Sequence, residues 1–188
     1  MPLETDRTFQ GPDLPWSQGN RLAFDTCSFI GLEASGAYMD GCELLDCEFT
    51  DCNFSNAQLG GAVFNGVTFR NCKLVGVRFQ GGTAMSSGWI FENCSLDLAT
   101  FTGMSLQEIR FTGCSLRETD FSEANLSGGR FTDSDLDRAV FRQSVLENAD
   151  FTTARHFRLD PDINRIRKAR FTKEGLPGLL GKYGIIVE

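Results

Sequence analysis

An apolar residue, Phe or Leu in nearly every case, returns at every fifth position along most of this chain. It stands at Leu44, Phe49, Phe54, Leu59, Phe64, Phe69, Leu74 and Phe79, and after a short slip at Phe91, Leu96, Phe101 and Leu106. From Phe111 it runs unbroken through Leu116, Phe121, Leu126, Phe131, Leu136, Phe141 and Leu146 to Phe151. A period of five belongs neither to a helix (3.6) nor to a strand (2). Held this long, it marks a solenoid, in which each unit buries its inward residues against its neighbours.

Two residues before each of these centres the chain places a small residue, as at Cys27, Cys42, Cys47, Cys52, Ala57, Cys72, Cys94, Ala99, Cys114, Ala124, Ser134 and Ala149. The other three places are mostly polar or Gly. Two inward residues in every five suit a narrow tube of square section, four repeats to a coil of twenty residues. Residues twenty apart then stack. Reading the slip before Phe91 as one repeat containing Ala84 plus two inserted residues gives a side made of Phe9, Phe29, Phe49, Phe69, Phe91, Phe111, Phe131, Phe151 and Phe171. The rival reading, a seven-residue loop with no repeat lost, mixes Phe with Leu on that side. Side two reads Leu14, Ala34, Phe54, Leu74, Leu96, Leu116, Leu136; side three carries Phe79, Phe101, Phe121 and Phe141; side four carries Phe24, Leu44, Phe64, Leu106, Leu126 and Leu146. At strand spacing, eight steps give a rod of roughly 40 Å.

All seven cysteines occupy the small place, which predicts buried free thiols rather than a metal or redox site. There is a single histidine, His156, and no phosphate loop, dinucleotide fingerprint or nucleophile elbow, so neither enzyme nor cofactor is expected. No stretch approaches the ~18 apolar residues of a membrane span and no signal peptide opens the chain, so a cytoplasmic protein is expected. Net charge is −7, unevenly spread: 21 acids and 10 bases before residue 155, 4 acids and 8 bases after it. An acidic rod either keeps itself soluble by self-repulsion or offers an acidic surface to a DNA-binding site.

The sequence divides into a tail over 1–8, a tube over 9–171 with a bulge near 80–90 and a looser last coil over 152–171, and an end segment over 172–188. In the bulge, Met85 and Trp89 either meet a partner or, for Trp89, fill a widened corner. Residues 173–182 read as a short amphipathic helix and Ile185, Ile186 and Val187 as a short strand. Leu176, Leu179, Leu180, Tyr183, Ile185, Ile186 and Val187 form an apolar end fit for a two-fold homodimer.

ETDFSEANLSGGRFTDSDL (118–136) and ENADF (147–151) resemble the motif of the pentapeptide repeat proteins. The stretch from Leu159 to Glu188 resembles the end of the Qnr quinolone-resistance and McbG microcin-immunity group. The resemblance implies an all-β fold, a right-handed quadrilateral β-helix closed by a terminal helix and strand that pair two copies. It implies a non-enzymatic protein that imitates duplex DNA, binds DNA gyrase or topoisomerase IV and protects it from poisons, without binding nucleic acid itself. The surface for that partner is expected at Asp97, Glu118, Asp120, Asp133, Asp135 and Asp137, with Met85 and Trp89. The alternative is an interaction scaffold or immunity factor with another partner.

Overall fold

Each five-residue unit folds into one short extended stretch and one corner. A computed structural model describes residues 2–11, 22–39, 41–79 and 88–186; Leu14, Ala84, Met85 and Val187 lie outside them. The residue two after nearly every centre takes a positive φ, as at Asn56 (59°), Asn71 (51°), Gly113 (64°) and Asp133 (51°). At many corners the next residue, the small one, then bonds back to the centre, whereas the Cys114 N–H donates to Ser134 Oγ at 3.2 Å. Ala57 N–H donates to Phe54 O at 2.9 Å and Ala99 N–H to Leu96 O at 3.0 Å. A left-handed third residue closed by the fourth is the mark of a type II turn, which favours Gly and Asn there. Leu98 (61°) and Glu118 (56°) hold that conformation without such help, at about 1–2 kcal/mol each.

The extended stretches pair in parallel from coil to coil, which is the quadrilateral β-helix expected. On side four, β1 (Leu3–Thr5), β3 (Ala23–Asp25), β5 (Glu43–Leu45) and β7 (Val63–Asn65) form one sheet. On side one, β2 (Thr8–Gln10), β4 (Ser28–Ile30), β6 (Glu48–Thr50), β8 (Thr68–Arg70), β9 (Ile90–Glu92), β10 (Arg110–Thr112) and β11 (Arg130–Thr132) form the other, in that order. Isolated parallel bridges, among them Ser95–Ser115–Asp135, carry the pairing over the remaining sides.

The register is twenty at Phe29–Phe49 and twenty-two at Phe69–Phe91, so two residues are inserted between the latter pair. The Phe side is a continuous stack. Its nine rings stand 4.6–5.5 Å apart with planes 4–20° from parallel. Phe79, Phe101, Phe121 and Phe141 make a second stack at 4.5–5.3 Å. The two stacks meet edge-on, as at Phe111–Phe121 (5.9 Å, 70°), the arrangement aromatic quadrupoles favour.

The small place does more than save room. Cys52, Cys72, Cys94 and Cys114 each donate Sγ–H to a carbonyl of the preceding coil, at Phe29, Phe49, Phe69 and Phe91, all at 3.4 Å. Thr119 Oγ1 and Ser144 Oγ do the same to Leu96 and Phe121 at 2.9 Å, and Asn164 Nδ2 to Phe141 at 2.9 Å. All seven cysteines are buried thiols. Burial pushes the Cys47 thiol up to about 11, which keeps it a protonated donor at neutral pH.

Trp89 departs from the expectation of a partner-facing ring. It takes the small place before Phe91 and is 2% exposed. Its rings lie 5.4 Å from Phe64 and 5.5 Å from Phe79, and its indole N–H donates to Phe64 O at 3.0 Å. It fills the corner that the insertion widens.

The C-terminal end is also simpler than expected. Its helix α1 spans only Pro177–Leu180 and runs into a 3-10 turn over Gly181–Tyr183. Ile185 and Ile186 form no strand, because Gly184 (φ 61°) ends the turn and no described strand lies alongside to pair with them. The ring closing the tube is Phe157, which packs 5.5 Å from Phe151 and 5.4 Å from Phe171. Leu159 N–H donates to Gly178 O at 3.0 Å. A Cβ at Gly178 would run into the carbonyl and ring of Phe157, so the end segment docks closely only with glycine there.

Phe111 is fully buried, between Phe91 at 5.1 Å and Phe131 at 5.5 Å. Phe111→Ala is expected to cost about 3–5 kcal/mol through lost burial and the cavity left behind. Urea denaturation measures it; an unchanged unfolding free energy would refute the stacked register.

Candidate partner-binding surface

The square section decides which charges share a side. Asp135 lies in the bridge column Ser95–Ser115–Asp135 of side two, and Asp97 and Asp137 follow Leu96 and Leu136 on that side. Glu118 and Asp133, both with positive φ, occupy its two corners. Five of the six carboxylates expected to face a partner thus gather on one side and its corners, and Asp120 opens side three.

They are not bare charges. Arg117 places Nε 2.9 Å and Nη2 2.8 Å from Asp135 Oδ2, while His156 Nδ1 lies 2.8 Å from Oδ1. The Asp137 N–H also donates to Oδ1, at 3.1 Å. Asp135 is 8% exposed with both oxygens engaged, so it is a fixed strut of this side rather than a contact offered to a partner. Asp97 accepts from Ser115 Oγ and from the Arg117 N–H at 3.0 Å. Arg138 Nη1 lies 3.6 Å from Glu118. Asp120 accepts from the Ser122 N–H at 2.9 Å. Glu118, Asp133 and Asp137 remain exposed. A count of acids and bases does not find this network. The twenty-residue stack does, because it puts Arg117 one coil below Asp137 and diagonal to Asp135.

Such an arrangement presents fixed negative charge on a rigid backbone. Among the described residues no cluster of His, Cys, Asp or Glu could hold a metal ion, and no helix is long and apolar enough to cross a membrane.

The other candidate surface is the C-terminal end. Leu176 (45%), Tyr183 (57%), Ile185 (57%) and Ile186 (88%) are exposed, whereas Leu179 packs on the core and Leu180 is half-buried. Lys182 reaches back to Asp160 Oδ1 at 2.6 Å and to Asp162, and its Nζ lies 4.9 Å from the centre of the Tyr183 ring. The end segment is therefore latched to the last coil with Leu176, Tyr183, Ile185 and Ile186 exposed.

A family model described as a pentapeptide repeat region matches residues 5–79 and 89–155. A search of curated proteins found no significant match. Among solved structures, full-length QnrB1, a plasmid-mediated fluoroquinolone resistance protein, is similar at a TM-score of 0.56 and 20% identity, over 97% of this chain and 100% of that one. HetL, a pentapeptide repeat protein involved in heterocyst differentiation regulation from the cyanobacterium Nostoc sp. strain PCC 7120, gives 0.59 and 16%, over 89% and 84%. At such identities the likeness is one of fold.

Burial alone pushes the Asp135 carboxyl up. The hydrogen bonds from His156, Arg117 and the Asp137 N–H, with the charge of Arg117, outweigh it and hold the group down at about 2. The unfolded value is near 3.9. A group lowered on folding stabilises the folded state above its unfolded pKa and loses that stabilisation as pH falls through the folded one. The stability difference between the wild type and Asp135→Asn is therefore expected to be largest above about pH 4 and to shrink towards about pH 2. Urea midpoints across that range measure it; a difference independent of pH would contradict the assignment.

Proposed function

The chain belongs to the pentapeptide repeat family, and from that premise we propose that it is a non-enzymatic, cytoplasmic DNA mimic that binds DNA gyrase or topoisomerase IV. The observation that carries the reading is the gathering of Asp97, Glu118, Asp133 and Asp137 on one side, and its corners, of a tube of stacked coils. A cleft shaped for duplex DNA carries positive potential and accepts a cylinder of opposite sign, which steers the encounter. The resemblance of residues 159–188 to the Qnr and McbG group supports the same partner. Supercoiling by purified gyrase, and decatenation by topoisomerase IV, with and without a quinolone or peptide poison, test it. Inhibition or protection at micromolar protein is expected; no effect on either enzyme would sink the reading.

The second reading, a scaffold or immunity factor with a different partner, draws on the neutralising arginines Arg117 and Arg138 within that side. A pull-down that lacks topoisomerase subunits would favour it.

The same proposal includes a tail-to-tail homodimer through Leu176, Tyr183, Ile185 and Ile186, which leave a continuous apolar end in water when the chain is alone. A closed two-fold pairing hides such a patch on both copies at once. Sedimentation of the full chain at micromolar concentration is expected to give a dimer, and deletion of residues 174–188 a monomer or an aggregate. A monomeric full-length protein would remove the dimer, and with it the double-length rod.

A further inference from the structure

We propose that Arg110 and Arg130, on side one, form a binding site for a compact oxyanion of the phosphate monoester class. The two are register partners on β10 and β11, so their side chains leave the backbone about 4.8 Å apart. Both are exposed. Like charges directly opposite on neighbouring strands destabilise a sheet. Several arginines along the tube are answered by carboxylates, Arg70 by Glu48 and Glu92, Arg117 by Asp135, Arg165 by Glu147 and Arg170 by Asp150. Among the described residues neither Arg110 nor Arg130 has a carboxylate within 4.0 Å.

The pair borders a groove of about 410 Å³, lined also by Glu108, Gly128, Asn148, Asp150 and Arg170. Asp150 lies one rung above Arg130, but both its oxygens are engaged. Oδ1 accepts from the Thr152 N–H (2.9 Å) and hydroxyl (2.6 Å), and Oδ2 from Arg170 Nη1 (3.1 Å). The corner column beside the arginines reads Glu108, Gly128, Asn148. Gly128 has no side chain, and the Glu108 side chain leans over it, its Cγ 3.4 Å from where a Cβ would stand.

Guanidinium forks match phosphate oxygens two at a time, and a tetrahedral dianion accepts from two forks at once. The groove is larger than one phosphate needs. Asn148 can donate or accept, and Glu108 can accept from hydroxyl groups, which suits a small polar moiety esterified to the phosphate. A polyanion is disfavoured. Residues 1–154 carry 21 acids against 10 bases, so a nucleic acid or an acidic protein surface reaching for these arginines meets a repelling rod. A compact anion does not. This site does not depend on the topoisomerase reading, which rests on side two.

Calorimetric titration and thermal denaturation with inorganic phosphate and glucose 6-phosphate, at constant ionic strength set by sodium chloride, test the assignment. Saturable binding of both ligands and a raised melting temperature are expected. Arg110→Gln/Arg130→Gln should weaken binding by roughly tenfold or more, yet melt in chloride no lower than the wild type because a repulsion is gone. Arg70→Gln should leave binding intact. If the double variant does not fold, Arg130→Gln alone is read in its place. An effect matched by chloride, an equal loss in Arg70→Gln, or phosphate binding without glucose 6-phosphate binding would overturn the proposal. So would arginine-dependent binding of a duplex oligonucleotide.

Discussion

Everything in this tube depends on peptide groups of one coil bonding those of the next at an offset of twenty residues, twenty-two across the insertion. Parallel pairing of that kind stacks each residue on its own repeat position. The consequence is like upon like. Where the repeated residue is Phe, the result is a stack of nine rings 4.6–5.5 Å apart. Where it is Arg, as at 110 and 130, the result is two positive charges at strand spacing. The regularity that builds the core also stacks this arginine pair, whose charge is met in the groove by Asp150 one rung above Arg130 and by Glu108.

The corner explains the cysteines. A corner turned by a left-handed residue brings the next side chain inside, where little room remains and where a carbonyl of the preceding coil points at it. A residue there must be small and gains from a weak donor. Thiol, hydroxyl and amide side chains all meet that need, which is why Cys94, Thr119, Ser144 and Asn164 take equivalent places. A buried thiol left unbonded is tolerable, whereas a buried hydroxyl without a partner is costly. Cysteine is thus a forgiving choice, and its abundance follows from packing rather than redox chemistry.

The period of five carried the fold and the position of the two-residue insertion, because inward spacing is set by the backbone and a break in it shows at once in the stacking. The end of the tube was not legible to the same degree. Phe157 lies off the five-residue series, and a residue outside a period gives no signal through it. The C-terminal strand expected at Ile185 and Ile186 rested on β-branched composition alone, and a strand needs a neighbour that composition cannot supply. Trp89 offered two readings of equal standing until the widened corner and the Phe64 carbonyl were in place. On side two, the acids were legible from the repeat, but reading Asp135 as exposed neglected its diagonal neighbour Arg117.

That neighbour bears on the proposed imitation of DNA. Duplex DNA carries a charge for every ~1.7 Å of axis. A net −11 over residues 1–154, spread along a rod of roughly 40 Å, is about one charge per 4 Å. Mean charge density therefore falls short of DNA by about half, and recognition by a DNA cleft has to draw on local concentration. Side two supplies it at Asp97, Glu118, Asp133 and Asp137, while Arg117 and Arg138 reduce it at the same place. Because Arg117 also holds Asp135 in its buried, ionised state, its charge cannot be removed without loosening the side it neutralises. The depth of the negative potential on that side and the rigidity of the side are therefore opposed in this chain, and Arg117 sets the balance between them.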